Sequence, residues 1–269
     1  MIHRAFTILK RRGLSVLVRA ATLRVRGILA SRAKSFQTHR HLFIGKSGIE
    51  IGGPSSAFAR SGIIPVYPIV HNLDNCNYSD STVWDAGFNS GSAFRYDGNK
   101  QNGRQYIGEA TALNFLASNA YDFVLSSHML EHTANPILAL TEWKRLLRDQ
   151  GVLVLILPNK QYTFDHLRST TTLAHLKQDF KAGTAEDDMT HLPEVLALHD
   201  YGRDPDAGDA ADFHNRCKNN VQNRCLHHHV FDVELTMGLL KYVGFQLESL
   251  EVISPYHILA LALAQVKKQ

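Results

Sequence analysis

Short apolar runs alternate with helical patterns along the central part of the chain. Gly48 to Gly52 and Tyr121 to Ser126 each predict a strand bounded by turn-forming residues. Pro136 to Arg148 has apolar residues at helical spacing. Val152 to Leu157 is a continuous apolar run, as expected of a strand covered on both faces. Strands that alternate with helices predict an α/β fold with a doubly wound, mostly parallel sheet.

The C-terminal part predicts a last helix, Phe231 to Val243, and a closing antiparallel strand pair, Phe245 to Val252 with Tyr256 to Leu263. Residues 160–230 differ from both flanks because they are polar, rich in His and Asp, and weakly periodic. We interpret them as an insertion, or lid, over the carboxyl ends of the strands, where ligands bind in such sheets.

The first 40 residues form a region of their own. Arg12, Arg19 and Arg26 lie opposite an apolar face at helical spacing, which predicts a basic amphipathic arm attached to a domain of residues 41–269. Residues 1–49 hold eleven Lys and Arg and no acid, so the rest has 18 basic and 25 acidic residues. A helix docked on the domain, a membrane-surface helix and an organelle transit peptide all fit the arm.

Composition excludes several classes of protein. No apolar run approaches the roughly 18 residues that span a bilayer, and no secretory signal is visible. Three cysteines indicate a reducing compartment, so we expect a cytoplasmic protein, with the arm as a peripheral contact at the inner membrane surface. The acidic body argues against a nucleic-acid partner. The oligomeric state is not predicted.

A glycine turn follows the first predicted strand. Glycines there allow close approach of the backbone to a ligand, the turn offers N–H donors, and a carboxylate at the strand end can receive hydroxyls or an ammonium group. A purely structural turn is the alternative. The candidate ligand contacts are Glu50, Gly52, Gly53, Pro54 and Ser55.

Asp74 follows Gly52 by 22 residues. This is close to the spacing of roughly 20 at which an acid after the second strand meets a ribose hydroxyl. Pro65 and Pro68 precede it and predict an irregular or edge strand. Asp74 is therefore a candidate ribose contact, with a plain turn residue as the alternative.

Residues 121–132, with the sequence YDFVLSSHMLEH, carry the most specific motif. Together with Gly151 and residues 157–159 (LPN), they resemble the class I S-adenosylmethionine-dependent methyltransferases, in the branch often labelled type 11. Residues 108–111 (GEAT) resemble that family's third-strand turn beside the adenine. The likeness spans about residues 47–160. The turn at residues 52–54 (GGP) and Ala112 depart from the family pattern.

The resemblance implies a Rossmann-like fold, S-adenosylmethionine as cofactor and methyl transfer by in-line displacement. It places methionine-end contacts at Glu50 and Gly52, the ribose at Asp74 and the adenine edge at Glu109 and Ala110. It implies that the pocket is lined by Ser126, Ser127 and His128.

The favoured acceptor is a hydroxyl of a small molecule or glycan, which a histidine base would assist. His128, beside the ligand-facing edge, is the first candidate, and His228 and His229 could reach the pocket from the lid. His132 is as consistent with a local structural role. A non-catalytic S-adenosylmethionine-binding or regulatory module is the alternative function. An NAD-dependent oxidoreductase is disfavoured because it has no need of the 126–132 motif.

Thiol and imidazole groups also gather in the lid at residues 214–229. These residue types suit zinc, but their spacing matches no standard finger. We therefore predict no metal ligands from the sequence, and zinc remains the alternative interpretation of this cluster. Its members are His214, Cys217, Cys225, His227, His228 and His229.

Overall fold

The computed structural model describes residues 32–82, 90–204 and 206–265. The predicted arm, with Arg12, Arg19 and Arg26, lies outside these residues up to position 31. The described chain begins beside helix α1 (Lys34–His39). Ala33 and Phe36 are buried against the body, so this end of the N-terminal region packs on the domain.

The described strands form one eight-stranded sheet in the order β3-β4-β2-β1-β5-β6-β8-β7. The strands β1, β2, β4, β5 and β6 run parallel, whereas β3 and the pair β7–β8 are antiparallel to their neighbours. The predicted fold class, a doubly wound and mostly parallel sheet with a C-terminal antiparallel pair, is confirmed. The bounds are β1 Ser47–Ile51, β2 Asn72–Asn77, β3 Ala93–Phe94, β4 Gly103–Ile107, β5 Tyr121–Ser127, β6 Leu147–Pro158, β7 Phe245–Ile253 and β8 His257–Ala264.

Two helices pack on the C-terminal half of the sheet, α2 (Pro136–Leu146) and α7 (Val233–Val243). Asn135 caps α2 by accepting the N–H of Leu138 at 3.1 Å. The helix ends two residues before the predicted Arg148 because Leu147 is already extended and begins β6. Trp143 is fully buried between this helix and the sheet.

The connection from β1 to β2 contains no α-helix. Residues 52–71 form two short 3-10 turns, Ser56–Phe58 and Tyr67–Ile69, which pack on the sheet beside Phe43 and Phe123. This face of the sheet is therefore covered by aromatic side chains and turns rather than by a crossover helix of the usual kind.

The sequence expectation for β2 is wrong in one respect. β2 lies between β1 and β4 in the interior of the sheet and is not an edge strand. Pro65 and Pro68 do not interrupt it because the strand begins only at Asn72, and Pro68 lies in the preceding 3-10 turn. The two prolines mark the end of the connection, where no ladder hydrogen bond is lost.

The predicted lid, residues 160–230, is more regular than its polar pattern indicated. It contains α3 (Leu173–Ala182), α4 (Leu192–Leu198), α5 (Ala210–Lys218) and α6 (Asn220–Asn223). A small apolar cluster lies among them, formed by Val195, Ala207, Phe213, Cys217 and Leu226. Across the described residues, every helix falls short of the length and apolarity needed to cross a membrane.

Candidate active site

A cavity of about 360 Å³ lies at the carboxyl ends of β1, β2, β4 and β5. This is the edge at which the strand order reverses, the usual ligand position in doubly wound sheets. The volume is near the lower end of the range for small-molecule sites. The loops after the four strands supply most of the lining, and the lid adds Glu186 and Arg224. The strand-end lining comprises Ile51, Gly52, Gly53, Pro54, Ser55, Ser56, Cys76, Asn77, Tyr78, Thr82, Gly108, Glu109, Ala110, Ser127, His128, Met129, His132 and Thr133.

Gly52 forms the floor of the cavity after β1. Its φ of +85° belongs to the left-handed region, and a Cβ there would lie 2.7 Å from the Met129 Cγ. A side chain at this position would therefore strain the backbone and push against the opposite wall. The glycine keeps this part of the cavity open.

The N–H groups of the glycine turn are used within the protein. Gly52 donates to the carbonyl of Cys76 at 2.9 Å, and Gly53 donates to Asn75 Oδ1 at 3.0 Å. Ser55 donates to Glu50 Oε1 at 2.9 Å. The sequence predicted that this turn would offer donors to a ligand, but in the structure these three N–H groups hold the turn itself.

Glu50 lies beneath the turn and does not line the cavity. Its side chain is fully buried, and Oε2 accepts a hydrogen bond of 2.6 Å from the Tyr67 hydroxyl. Burial raises the pKa of Glu50 to about 8, although the bonds from Tyr67 and Ser55 favour the carboxylate. A Cβ on Gly53 would meet this carboxyl at 2.4 Å or less, so Glu50 shapes the turn from below.

Asp74 lies away from the cavity, in the middle of β2. Its carboxylate accepts bonds from the Tyr121 hydroxyl at 2.9 Å and the Arg104 N–H at 2.9 Å. Asp74 comes three residues before the end of β2, because the long β1–β2 connection ends only at Asn72. Asn77, at the end of β2, lines the cavity and donates to the Gly53 carbonyl at 3.0 Å.

Glu109 and Ala110, which the resemblance places at the adenine edge, line the cavity. The guanidinium of Arg224 reaches from the lid and donates to Glu109 Oε1 at 2.6 Å. Arg224 also lies 3.1 Å from the Glu186 carboxylate. The three side chains connect the lid to the β4 edge and place alternating charges along one wall.

Ser127 and His128 line the cavity at the end of β5, whereas Ser126 is fully buried and does not. His128 has a φ of +50°, and its Nδ1 lies 3.5 Å from Glu131 Oε1. Burial alone would raise the pKa of Glu131, but the bond from His128 and the neighbouring imidazoles hold it below its usual value. The His128 Nε2 shares a hydrogen bond of 2.8 Å with His257 Nδ1.

The triple histidine run lies behind the cavity wall and does not line it. His227 Nδ1 pairs with Asp165 Oδ2 at 2.5 Å, and His228 shares a bond of 3.1 Å with Asn220. Burial, reinforced by neighbouring positive charge, lowers the pKa of His228 to about 3 and that of His229 well below its usual value. The structure therefore does not bring His228 or His229 to the site where His128 lies.

Residues 72–155 match a model of the methyltransferase domain. The matched segment runs from the start of β2 into β6 and so includes Asn77, Glu109, Ser127 and His128. This segment is therefore similar to a methyltransferase domain, in agreement with the resemblance of the sequence to the class I S-adenosylmethionine-dependent methyltransferases.

Solved structures that are similar to this chain include methyltransferases. An S-adenosylmethionine-dependent methyltransferase from Methanosarcina mazei aligns with a TM-score of 0.50 at 13% identity, over 86% of this chain and 98% of that one. A second, from Mesorhizobium loti, aligns with a TM-score of 0.49 at 14% identity over the same shares. At such identity the likeness shows the fold alone. No curated protein matches the sequence.

The residues of this methyltransferase suit its cofactor in shape and polarity. Ile51, Pro54 and Ala110 give an apolar lining, and Gly52 permits close approach to the turn. The polar edge is supplied by Asn77 and Glu109. Mostly apolar walls with a few placed polar groups are typical of a small-molecule site.

Sequence reasoning missed several lining residues of the methyltransferase. Asn77 is an uncharged strand-end residue, and Glu186 and Arg224 lie in a segment without a recognisable motif. A signal for Asn77 was available, because the strand end rather than a count from Gly52 determines which side chain faces the ligand. Nothing local marks Arg224, since its place depends on how the lid folds.

Proposed function

We propose that this methyltransferase transfers the methyl group of S-adenosylmethionine to a hydroxyl of a small molecule or glycan. The observation that carries the proposal is the His128–Glu131 pair at the cavity wall. Buried Glu131 holds the His128 ring with Nδ1 toward the carboxylate and Nε2 away from it. A base oriented in this way suits a hydroxyl acceptor, which must lose its proton as it is methylated.

When bound, S-adenosylmethionine supplies a methyl group on a sulfonium sulfur, which an oxygen nucleophile displaces. The acceptor oxygen would bond to the methyl carbon, and the electrons of the broken carbon–sulfur bond would stay on sulfur. We assign the hydroxyl proton to His128 Nε2. His257 Nδ1 lies 2.8 Å from that nitrogen, so the acceptor hydroxyl must replace His257 as the hydrogen-bond partner of His128 Nε2.

The cofactor contacts that we propose lie on the strand ends. Gly52, Gly53, Pro54 and Ser55 surround the methionine end, with Glu50 fixing their turn from below. Asn77 takes the place at the end of β2 that the sequence assigned to Asp74. Glu109 and Ala110 lie at the adenine edge, where Arg224 shares the carboxylate of Glu109.

The lid supports an enzyme rather than an inert binding module. Glu186 and Arg224 come from residues 160–230 and complete the wall of the cavity.

We also propose that the N-terminal arm makes a peripheral contact with the membrane.

Replacing His128 tests the base. We expect His128→Ala to lower turnover by roughly 10²- to 10⁴-fold and to leave the affinity for S-adenosylhomocysteine, measured by calorimetry, within a few-fold. His71→Ala, on an exposed loop residue, is the matched control. Unchanged turnover of His128→Ala would remove it as the base. If His257→Phe loses as much activity as His128→Ala, the proton goes to His257 instead.

The acceptor class is tested separately with labelled cofactor. Tritiated S-adenosylmethionine and the enzyme are incubated with small-molecule, glycan, protein and nucleic-acid fractions of a cell extract. We expect label in the small-molecule or glycan fraction as an alkali-stable ether. Label confined to protein or nucleic acid would overturn the acceptor assignment while leaving the methyltransferase activity intact.

A further inference from the structure

Three histidines of the lid bring ring nitrogens close together outside the cavity, and Asp179 lies beside two of them. His175 and Asp179 lie one turn apart on α3, His191 directly precedes α4, and His229 lies near the end of the lid. One ring nitrogen from each of the three histidines lies within 4.8 Å of the others. We call these four residues the lid cluster. The cavity lining contains none of them.

Two distances within the lid cluster suit neighbouring ligands of one metal ion. His175 Nε2 lies 3.1 Å from His191 Nε2 and 3.3 Å from Asp179 Oδ2. Zinc binds imidazole nitrogen at about 2.0–2.1 Å in tetrahedral geometry, which places neighbouring ligand atoms about 3.3 Å apart. The observed spacings are close to this value.

His229 shows which of its nitrogens is available. Its Nε2 lies 3.1 Å from the carbonyl oxygen of Ala134, and a carbonyl only accepts, so Nε2 carries the proton. The lone pair of the neutral ring is then on Nδ1, which is buried without a hydrogen-bond partner. Metal-binding histidines commonly donate their other ring N–H to a backbone carbonyl in this way.

Asp179 leaves a second buried atom without a hydrogen bond. Its Oδ2 has no partner in hydrogen-bond geometry, although His175 Nε2 is 3.3 Å away and His229 Nε2 is 3.8 Å away. Buried polar atoms are rarely left unpaired because their lost hydration costs free energy. A cation bound beside this carboxylate would satisfy Oδ2.

We propose that His175, Asp179, His191 and His229 bind one zinc ion that holds the lid together. Three nitrogen ligands and one carboxylate favour zinc over magnesium or calcium, which prefer oxygen. Four protein ligands leave no open position, so the ion is structural. It connects α3, the start of α4 and the segment of His229, which Ala134 attaches to the body. The cysteines of the lid, Cys217 and Cys225, take no part.

Metal binding by the intact protein tests the proposal directly. The chain is stripped with a chelator and titrated with Zn²⁺ and, separately, with Co²⁺. We expect one high-affinity equivalent of each, with the intense visible absorption of tetrahedral Co²⁺. Saturating Zn²⁺ should raise the melting temperature by about 5–10 °C, as expected at roughly 100-fold excess over Kd.

Variants assign the ligands. His175 is 37% exposed, so His175→Ala leaves no large void, and we expect binding to weaken by more than about 100-fold, beyond the loss typical of supporting residues. His214→Ala, on α5 of the lid, is the matched control and should bind like the wild type. Absence of tight binding by the wild type, or equal binding by His175→Ala, would overturn the proposal.

A second group near the cavity gives a competing assignment. Glu131, His132 and His227 also bring ligand atoms within 4.8 Å of one another. If His132→Ala abolishes the Co²⁺ absorption and His175→Ala does not, the metal lies beside the reaction site and the lid assignment is wrong. If the wild type binds two equivalents of metal, one lost in His175→Ala and the other in His132→Ala, the lid site is supported and the second group also binds a metal ion.

Discussion

The body and the lid of this methyltransferase are stabilised by different kinds of contact. The body buries continuous apolar strands such as Val152–Leu157 between two layers of hydrophobic side chains. The lid has only a small apolar cluster and buries charged residues instead, among them Arg168 and Asp165, which are 1% and 3% exposed. Apolar packing can relax around a substituted side chain. In contrast, removing the partner of a buried charge costs a large part of the free energy of folding. We therefore expect the lid to be the more sensitive to single polar substitutions.

Arg168→Ala should give the largest effect. The guanidinium donates to Asp165 Oδ1 at 3.0 Å and to the His227 carbonyl at 2.9 Å, so its loss leaves a buried carboxylate. We expect the lid to be destabilised by about 3–5 kcal/mol, seen as faster hydrogen exchange in residues 160–230 than in the sheet. Arg148→Ala breaks an exposed pair with Asp122 and should cost less than about 1 kcal/mol. Equal costs would contradict the comparison.

The body also buries carboxyl groups, and the pH dependence of stability tests the contribution of Glu50. The folded protein binds the Glu50 proton more tightly than the unfolded chain, because its pKa rises from 4.5 to about 8. Its contribution to stability is fully present below pH 4.5 and is lost as the pH rises to about 8. Relative to Glu50→Gln, the wild type should lose about 2–4 kcal/mol over that range.

Urea unfolding at a series of pH values measures this difference. The exposed Glu248→Gln variant is the control, and its difference from the wild type should change little with pH. Binding of S-adenosylhomocysteine by Glu50→Gln gives a second result. Because Glu50 lies under the turn, we expect affinity within a few-fold of the wild type. Complete loss of binding would show that the carboxylate contacts the cofactor directly.

Gly52→Ala should destabilise the protein less than Arg168→Ala does. Gly52 and Gly45 both have positive φ, +85° and +68°, so alanine at either position should cost about 1–2 kcal/mol. Only Gly52 faces the Met129 side chain, whereas Gly45 has nothing within 4 Å of its Cβ position. Binding of S-adenosylhomocysteine should therefore weaken about tenfold or more in Gly52→Ala, equivalent to about 1.4 kcal/mol, and remain unchanged in Gly45→Ala. Equal affinities would show that the turn does not form the floor of the site.

The sequence by itself determined the alternation of strands and helices, the C-terminal antiparallel pair and the segment from Tyr121 to His132 that ends at the cavity. These features are local, because apolar periodicity and turn residues follow from the chain's own pattern. The tertiary structure decided which side chains face the cavity. Asn77, at the end of β2, lines the cavity and Asp74 does not, and Glu50 supports the glycine turn from below instead of lining the cavity. The tertiary structure also decided the meeting of His175, His191 and His229, residues up to 54 positions apart, since only the folding of the lid brings them together. Asp179 lies beside two of these histidines.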